Sequence, residues 1–97
     1  MSKHRGGGKF GNVQNSWPFV SLTINNDSIV MSTLLQEALM KRESIQAIIL
    51  RRTFINYRFI FKHNDPSIKE VIEYWTFFPN PVKDAFTSQG YSVSEEK

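Results

Sequence analysis

Cysteine is absent from this 97-residue chain, which excludes disulfides and thiolate metal sites and fits a reducing compartment. Histidine is nearly absent too: His4 and His63 cannot by themselves build a three-ligand metal centre. No window approaches 18 consecutive apolar residues, so no membrane-spanning helix is expected. The basic start, Met1 to Lys9, is followed by no apolar stretch, so a secretory signal is not expected and the expected location is the cytoplasm. No G-x-S-x-G, P-loop or dinucleotide fingerprint occurs. Gly6-Gly7-Gly8-Lys9 looks superficially like a phosphate loop, but no strand is expected before it and no helix after it. Glu70 and Glu73, three apart on a strand, point to opposite faces and cannot act as an acid/base pair. His63 beside Asp65 reads as a turn pair rather than a proton relay. No catalytic residue, cofactor or metal is therefore expected, and the chain reads as non-enzymatic.

What is present is apolar and aromatic. Hydrophobic residues make up 40% and aromatics 13%, enough for one packed core in a single domain. Phe contributes 8 residues, most of them between Phe54 and Phe86, which places an aromatic core in the C-terminal half. The 12 basic and 9 acidic residues give a net charge of +3. Lys3, Arg5 and Lys9 lie in the glycine-rich start, and without them nine cations face nine anions. The basic character then belongs to an arm and not to a folded body, which weakens a nucleic-acid reading.

Residues 1–16 read as a flexible, basic, glycine-rich lead-in. Order is expected from Trp17, with a single domain over residues 17–93 and fraying over 94–97. Val20, Leu22 and Ile24 alternate with Ser21 and Thr23, and after the turn Asn25-Asn26-Asp27 the segment Ser28 to Ser32 returns as a hairpin partner. Residues 33–50 admit two readings. One is a helix carrying Leu34, Leu35, Ala38, Leu39, Arg42, Ile45 and Ile49 on one face; the other is two strands broken at Lys41-Arg42-Glu43-Ser44, with Ile45, Ala47 and Ile49 inward. Tyr57, Phe59, Phe61 and His63 alternate with Arg58, Ile60 and Lys62, and a long strand from Ile68 to Phe78 completes an aromatic hairpin. Asn80 is the expected cap of a helix over Pro81–Gln89 that presents Val82, Ala85 and Phe86, with Gly90 after its end. Trp17 and Trp75 read as core, Trp17 with a share of exposure.

The expected fold is thus mainly β with one C-terminal helix, and an α+β chain with an additional helix at 33–50 is the alternative. The order resembles the pleckstrin-homology-like (PH-like) bent barrel, in particular its small bacterial members. The residues that carry the likeness are Ser16-Trp17-Pro18-Phe19, Lys41 to Ile48, Ile60-Phe61-Lys62-His63, Tyr74-Trp75-Thr76-Phe77 and Gly90-Tyr91-Ser92-Val93. The resemblance implies a meander of six or seven strands with the helix plugging one end. It implies a binding module, but Asn25-Asn26-Asp27 is neutral to acidic where lipid-binding members are basic, so phosphoinositide binding is disfavoured.

Two functions remain. The first is association with a protein partner, including a second copy of the chain, through strand edges. The alternative is nucleic-acid binding through a basic and aromatic strip of Lys41, Arg42, Arg51, Arg52, Arg58 and Lys62.

Overall fold

The computed structural model describes residues 2–96. It is mainly β with one helix near the C-terminus, as expected. The strands are β1 (Ser2–Phe10), β2 (Val13–Ile24), β3 (Ser28–Ser32), β4 (Glu37–Lys41), β5 (Ile45–Arg52), β6 (Tyr57–His63), β7 (Ile72–Thr76) and β8 (Val93–Glu96), with helix α1 (Pro79–Ser88) between β7 and β8. They form one sheet in the order β4-β3-β2-β1-β7-β6-β5-β8. Every pairing is antiparallel except β5 with β8. The sheet is open, with β4 and β8 as its edges, and does not close into a barrel.

The largest correction concerns the first sixteen residues. The glycine-rich segment is not a lead-in but the middle of the sheet: β1 pairs with β2 on one side and with β7 on the other. The glycines are there because two rings need the space. A Cβ at Gly7 would overlap the indole of Trp75, and one at Gly6 would meet the Tyr74 ring and the Trp75 carbonyl. Tyr74 lies fully buried beneath the strand and Trp75 covers its outer face. Glycine inside a strand marks such close approach. Replacing Gly7 by alanine is expected to cost about 1–3 kcal/mol through overpacking. Chemical denaturation checks this, and Trp75→Ala should abolish the penalty in a double-mutant cycle. A Gly7→Ala chain as stable as the parent would contradict the packing.

Residues 33–50 adopt the strand alternative. Only the 3₁₀ turn Arg42–Ser44 interrupts β4 and β5, so the additional helix does not form. The inward phase of β5 is shifted by one: Ile48 and Leu50 are buried, whereas Ile45, Ala47 and Ile49 are only partly so. A register shift between Ile45 and Ala47 causes this, because one extra residue turns the following side chains over. The long strand expected over residues 68–78 is trimmed to β7, and Phe77 and Phe78 stand exposed at the turn into the helix. That helix starts two residues early. Phe78 takes the N-cap position without a side-chain cap, and Asn80 lies within the helix rather than before it. The Phe78 amide donates to the Thr76 hydroxyl instead, 3.1 Å. At the far end Gly90 adopts φ +85°, the left-handed conformation glycine allows. The C-terminal segment expected to fray pairs with β5 through Ser94, Glu95 and Glu96; Lys97 lies outside the described residues.

The core joins both halves of the sheet. Leu22, Ile24, Ile29, Met31 and Met40 come from β2 to β4, and Ile48, Phe59, Phe61, Ile72 and Tyr74 from β5 to β7. Val82 and Phe86 of α1 complete it, with Ala85 partly buried beside them.

Candidate functional site

Three of the six residues of the basic strip expected from sequence, Arg42, Arg51 and Arg58, are engaged by partners within the chain. Arg42 is a clamp: its guanidinium donates to the carbonyls of Asn26, Gln89 and Gly90 and lies 4.4 Å from the centre of the Tyr91 ring. It ties the β2–β3 turn to the end of α1. Arg51 donates twice to the Glu96 carboxylate, 2.9 and 3.0 Å, and holds β8 on β5. That hydrogen bond holds the Glu96 carboxyl below its ordinary pKa and raises that of Arg51. Arg58 pairs with Glu73 at 3.0 Å, both only about a fifth to a quarter exposed (25% and 19%). Among the described residues Lys41, Arg52 and Lys62 make no ion pair, but Lys41 ends edge strand β4 while the other two lie on β5 and β6. The register sets Arg51 opposite Arg58 on β5 and β6, whereas Arg42 faces the β2–β3 turn and the end of α1. In a different row, Lys3, Arg5, Gly7 and Lys9 alternate outward along β1, with Trp75 resting on Gly7. The cations assigned above to an arm therefore belong to the folded body.

The histidine and acidic candidates are structural. The Asp65 amide donates to His63 Nδ1 at 3.2 Å, so the Nε2–H of His63 donates to the Lys69 carbonyl at 2.8 Å. Asp65 accepts from the amide and hydroxyl of Ser67, which lowers its pKa. Among the described residues no cluster of three metal-ligating side chains occurs.

The feature that stands out is apolar. The register of β1 on β2 jumps from Gly6↔Val20 to Gly8↔Asn15, so residues 16–19 stand opposite Gly7 alone and bulge from the sheet. The bulge carries Trp17 and Phe19 outward, 47% and 68% exposed. Neither tryptophan is core: Trp75 is half-buried on the outer face, and Phe77 bridges it to Trp17 at ring distances of 5.4 and 6.5 Å.

Two cavities flank the bulge, and Asn15 lines both. On one side Val13 and Phe19 face the loop between β3 and β4, where Leu34 and Leu35 are 98% and 90% exposed. On the other side Ile55, Trp75 and Phe77 surround a smaller hollow with Arg58 at its rim. The exposure of Leu34 and Leu35 is built in. Thr33 Oγ1 accepts from the amides of Leu35 and Gln36 at 3.2 and 3.0 Å, and the Thr33 amide donates to the Gln36 carbonyl at 2.7 Å. This turn locks both leucines outward. Among the described residues, Asn15 Nδ2, a donor, and Gln36 Oε1, an acceptor, are buried without a hydrogen bond. Such an atom costs roughly 1–3 kcal/mol.

Sequence reasoning passed over this surface because it placed residues 1–16 outside the fold. The signals were the paired Leu34-Leu35 in a polar loop and the aromatic pair Phe77-Phe78 beside Pro79. No protein-family model matches the chain, and no curated protein is similar to it.

Proposed function

We propose that the protein is a non-enzymatic interaction module of PH-like architecture that associates with protein, in the first instance with a second copy of itself. The observation that carries this is the apolar surface around the β2 bulge. Val13, Trp17, Phe19, Leu34, Leu35, Ile55 and Phe77 are each nearly half to fully exposed and are joined through the two cavities and the ring contacts. At ~150–250 Å² for a large side chain, the exposed area is of order 800 Å², the share of one partner in a standard protein interface. Exposed apolar surface of this extent marks interaction sites. The two antiparallel meanders, β1 to β4 and β5 to β7, and the C-terminal helix over the core support the PH-like reading of the architecture.

Nucleic-acid binding is the weaker reading, since Arg42, Arg51 and Arg58 are engaged within the chain. Its remaining support is the row of Lys3, Arg5 and Lys9 beside Trp75. Oligonucleotide binding that falls steeply with salt, through counterion release, is the result that would move the reading there.

Sedimentation velocity at tens of micromolar tests the proposal. The parent chain is expected to sediment as a dimer, and Leu34→Asp with Leu35→Asp as the 11.3 kDa monomer. Both leucines are almost fully exposed in the free chain, so the variant should still unfold cooperatively, at the lower temperature that loss of the dimer entails. A parent chain that is strictly monomeric removes self-association and leaves a different protein as the partner. A dimer unaffected by both substitutions removes this surface from the interface.

A further inference from the structure

We infer that two copies of the chain associate by exchanging two matching prongs: the β3–β4 loop of one copy seats against the β5–β6 loop of its partner, and the reciprocal contact forms at the same time. This deepens the interaction reading above and rests on it. The two loops share one construction. In each, a threonine hydroxyl accepts from the amide three residues on, Thr33 from Gln36 and Thr53 from Asn56, both at 3.0 Å. The threonine amide donates to the carbonyl of that same residue, at 2.7 and 2.8 Å. In each, the two residues between are large, apolar and exposed: Leu34 and Leu35 in one loop, Phe54 and Ile55 in the other. The turns close their own hydrogen bonds, so both apolar pairs are held outward beforehand and little ordering is required on binding.

The placement of the prongs selects the arrangement. The β3–β4 loop belongs to the half of the sheet on one side of β1, the β5–β6 loop to the half on the other. Leu34 and Leu35 line the cavity on one flank of the β2 bulge, Ile55 lines the hollow on the other, and Asn15 lines both. A two-fold interface uses the same patch on both copies. With the axis at the bulge, rotation carries each prong onto the unlike prong of the partner and covers both. With the axis at one prong, the other stays in solvent. Charge favours the first arrangement. Glu37 follows the first prong and Arg52 precedes the second; both are exposed, and neither makes an ion pair among the described residues. Contact between unlike prongs brings a glutamate towards an arginine, whereas contact between like prongs brings together two glutamates or two arginines, which repel.

The absence of cysteine makes the test clean, since a single introduced thiol reports only its own neighbours. Full chains carrying Leu34→Cys and Ile55→Cys, one of them ¹⁵N-labelled, are mixed at tens of micromolar and treated with a short bismaleimide. Both positions are exposed, so neither substitution disturbs the core. Mass spectrometry separates links between the two different chains from links between two copies of one chain. The mixed link is expected to form about tenfold faster than either like link, because the dimer holds unlike prongs together at a raised effective concentration. A like link forming as fast as the mixed one would overturn the inference, as would a mixed link no faster than in urea-unfolded chains. The two readings fail separately. If Leu34→Asp with Leu35→Asp dissociates the parent dimer but the mixed link does not lead, the exchange is wrong and the interface stands. A monomeric parent chain removes both.

Discussion

A chain lacking residues 2–10 is expected to lose its cooperative fold altogether. β1 sits in the middle of the sheet order, with β4-β3-β2 on one side and β7-β6-β5-β8 on the other. Its removal parts these halves and bares the backbone of β2 and β7, whose amides and carbonyls then lose their partners. It also removes Phe10, 2% exposed, and uncovers Tyr74 and Trp75. Loss of a buried Phe alone costs about 3–5 kcal/mol. Each net hydrogen bond adds ~0.5–1.5 kcal/mol. Together these exceed the ~5–15 kcal/mol by which a domain is stable. Circular dichroism and amide dispersion in the NMR spectrum are the readouts. A shortened chain that still melts cooperatively would show that the glycine-rich segment is an appendage. The basic start therefore cannot be cut away to test its charges; substitution of Lys3 and Arg5, both exposed, is the informative route.

The second large effect lies at the opposite end of the chain. Phe86→Ala is expected to destabilise the protein by about 3–5 kcal/mol. Phe86 is fully buried, and its ring lies 5.4 Å from Phe59, 5.9 Å from Phe61 and 6.1 Å from Tyr91. Tyr91 is itself covered by the Arg42 guanidinium, so the cavity left behind cannot collapse freely. Burial also raises the pKa of the Tyr91 phenol, and more strongly that of Tyr74. Urea or guanidinium midpoints give the measurement. A shift below about 1 kcal/mol, the size of an ordinary substitution, would mean that α1 does not cover the core.

The parts of this fold legible in sequence are those where one face is buried and alternation is strict. Val20, Leu22 and Ile24 against Ile29 and Met31 form the β2–β3 hairpin, and Phe59 and Phe61 against Ile72 and Tyr74 form the β6–β7 hairpin. Val82 and Phe86 seat the helix as their spacing requires. β1 was illegible because its strand character comes from its neighbours. Glycine has little strand propensity, and the rings that make glycine necessary belong to Tyr74 and Trp75, far along the chain. The alternation of Lys3, Arg5 and Lys9 with His4 and Phe10 was the trace available. The engagement of three strip residues within the chain was illegible for a similar reason. The partners of Arg51 and Arg58 are Glu96 and Glu73, and the carbonyls that hold Arg42 follow α1. Only the sheet order brings these groups together. β8 is short and acidic; Arg51–Glu96 ties it to β5 and Lys83–Glu95 ties it to α1, neither of which local spacing reveals.

The place of β1 in the sheet has a functional consequence. With β1 in the sheet, its neighbour β2 bulges opposite Gly7, and the bulge contributes Trp17 and Phe19 to the apolar surface proposed as the interface. A flexible basic arm would instead leave β2 free at its edge and favour polyanion binding. The position of β1 thus separates the two functional readings.

Amide hydrogen exchange at Gly6, Gly7, Gly8 and Lys9, measured on the full chain under native conditions, tests that position most directly. Amides inside a sheet exchange only through opening, whereas those of a flexible tail exchange at once. Gly8 and Lys9 stand in register with β2 and β7 at the same time. Protection across Gly6 to Lys9 of the same order as at Phe59 and Phe61 in β6 is the result expected here. Exchange at unprotected rates over those four residues would contradict the sheet order, and with it the bulge and the interface built on it.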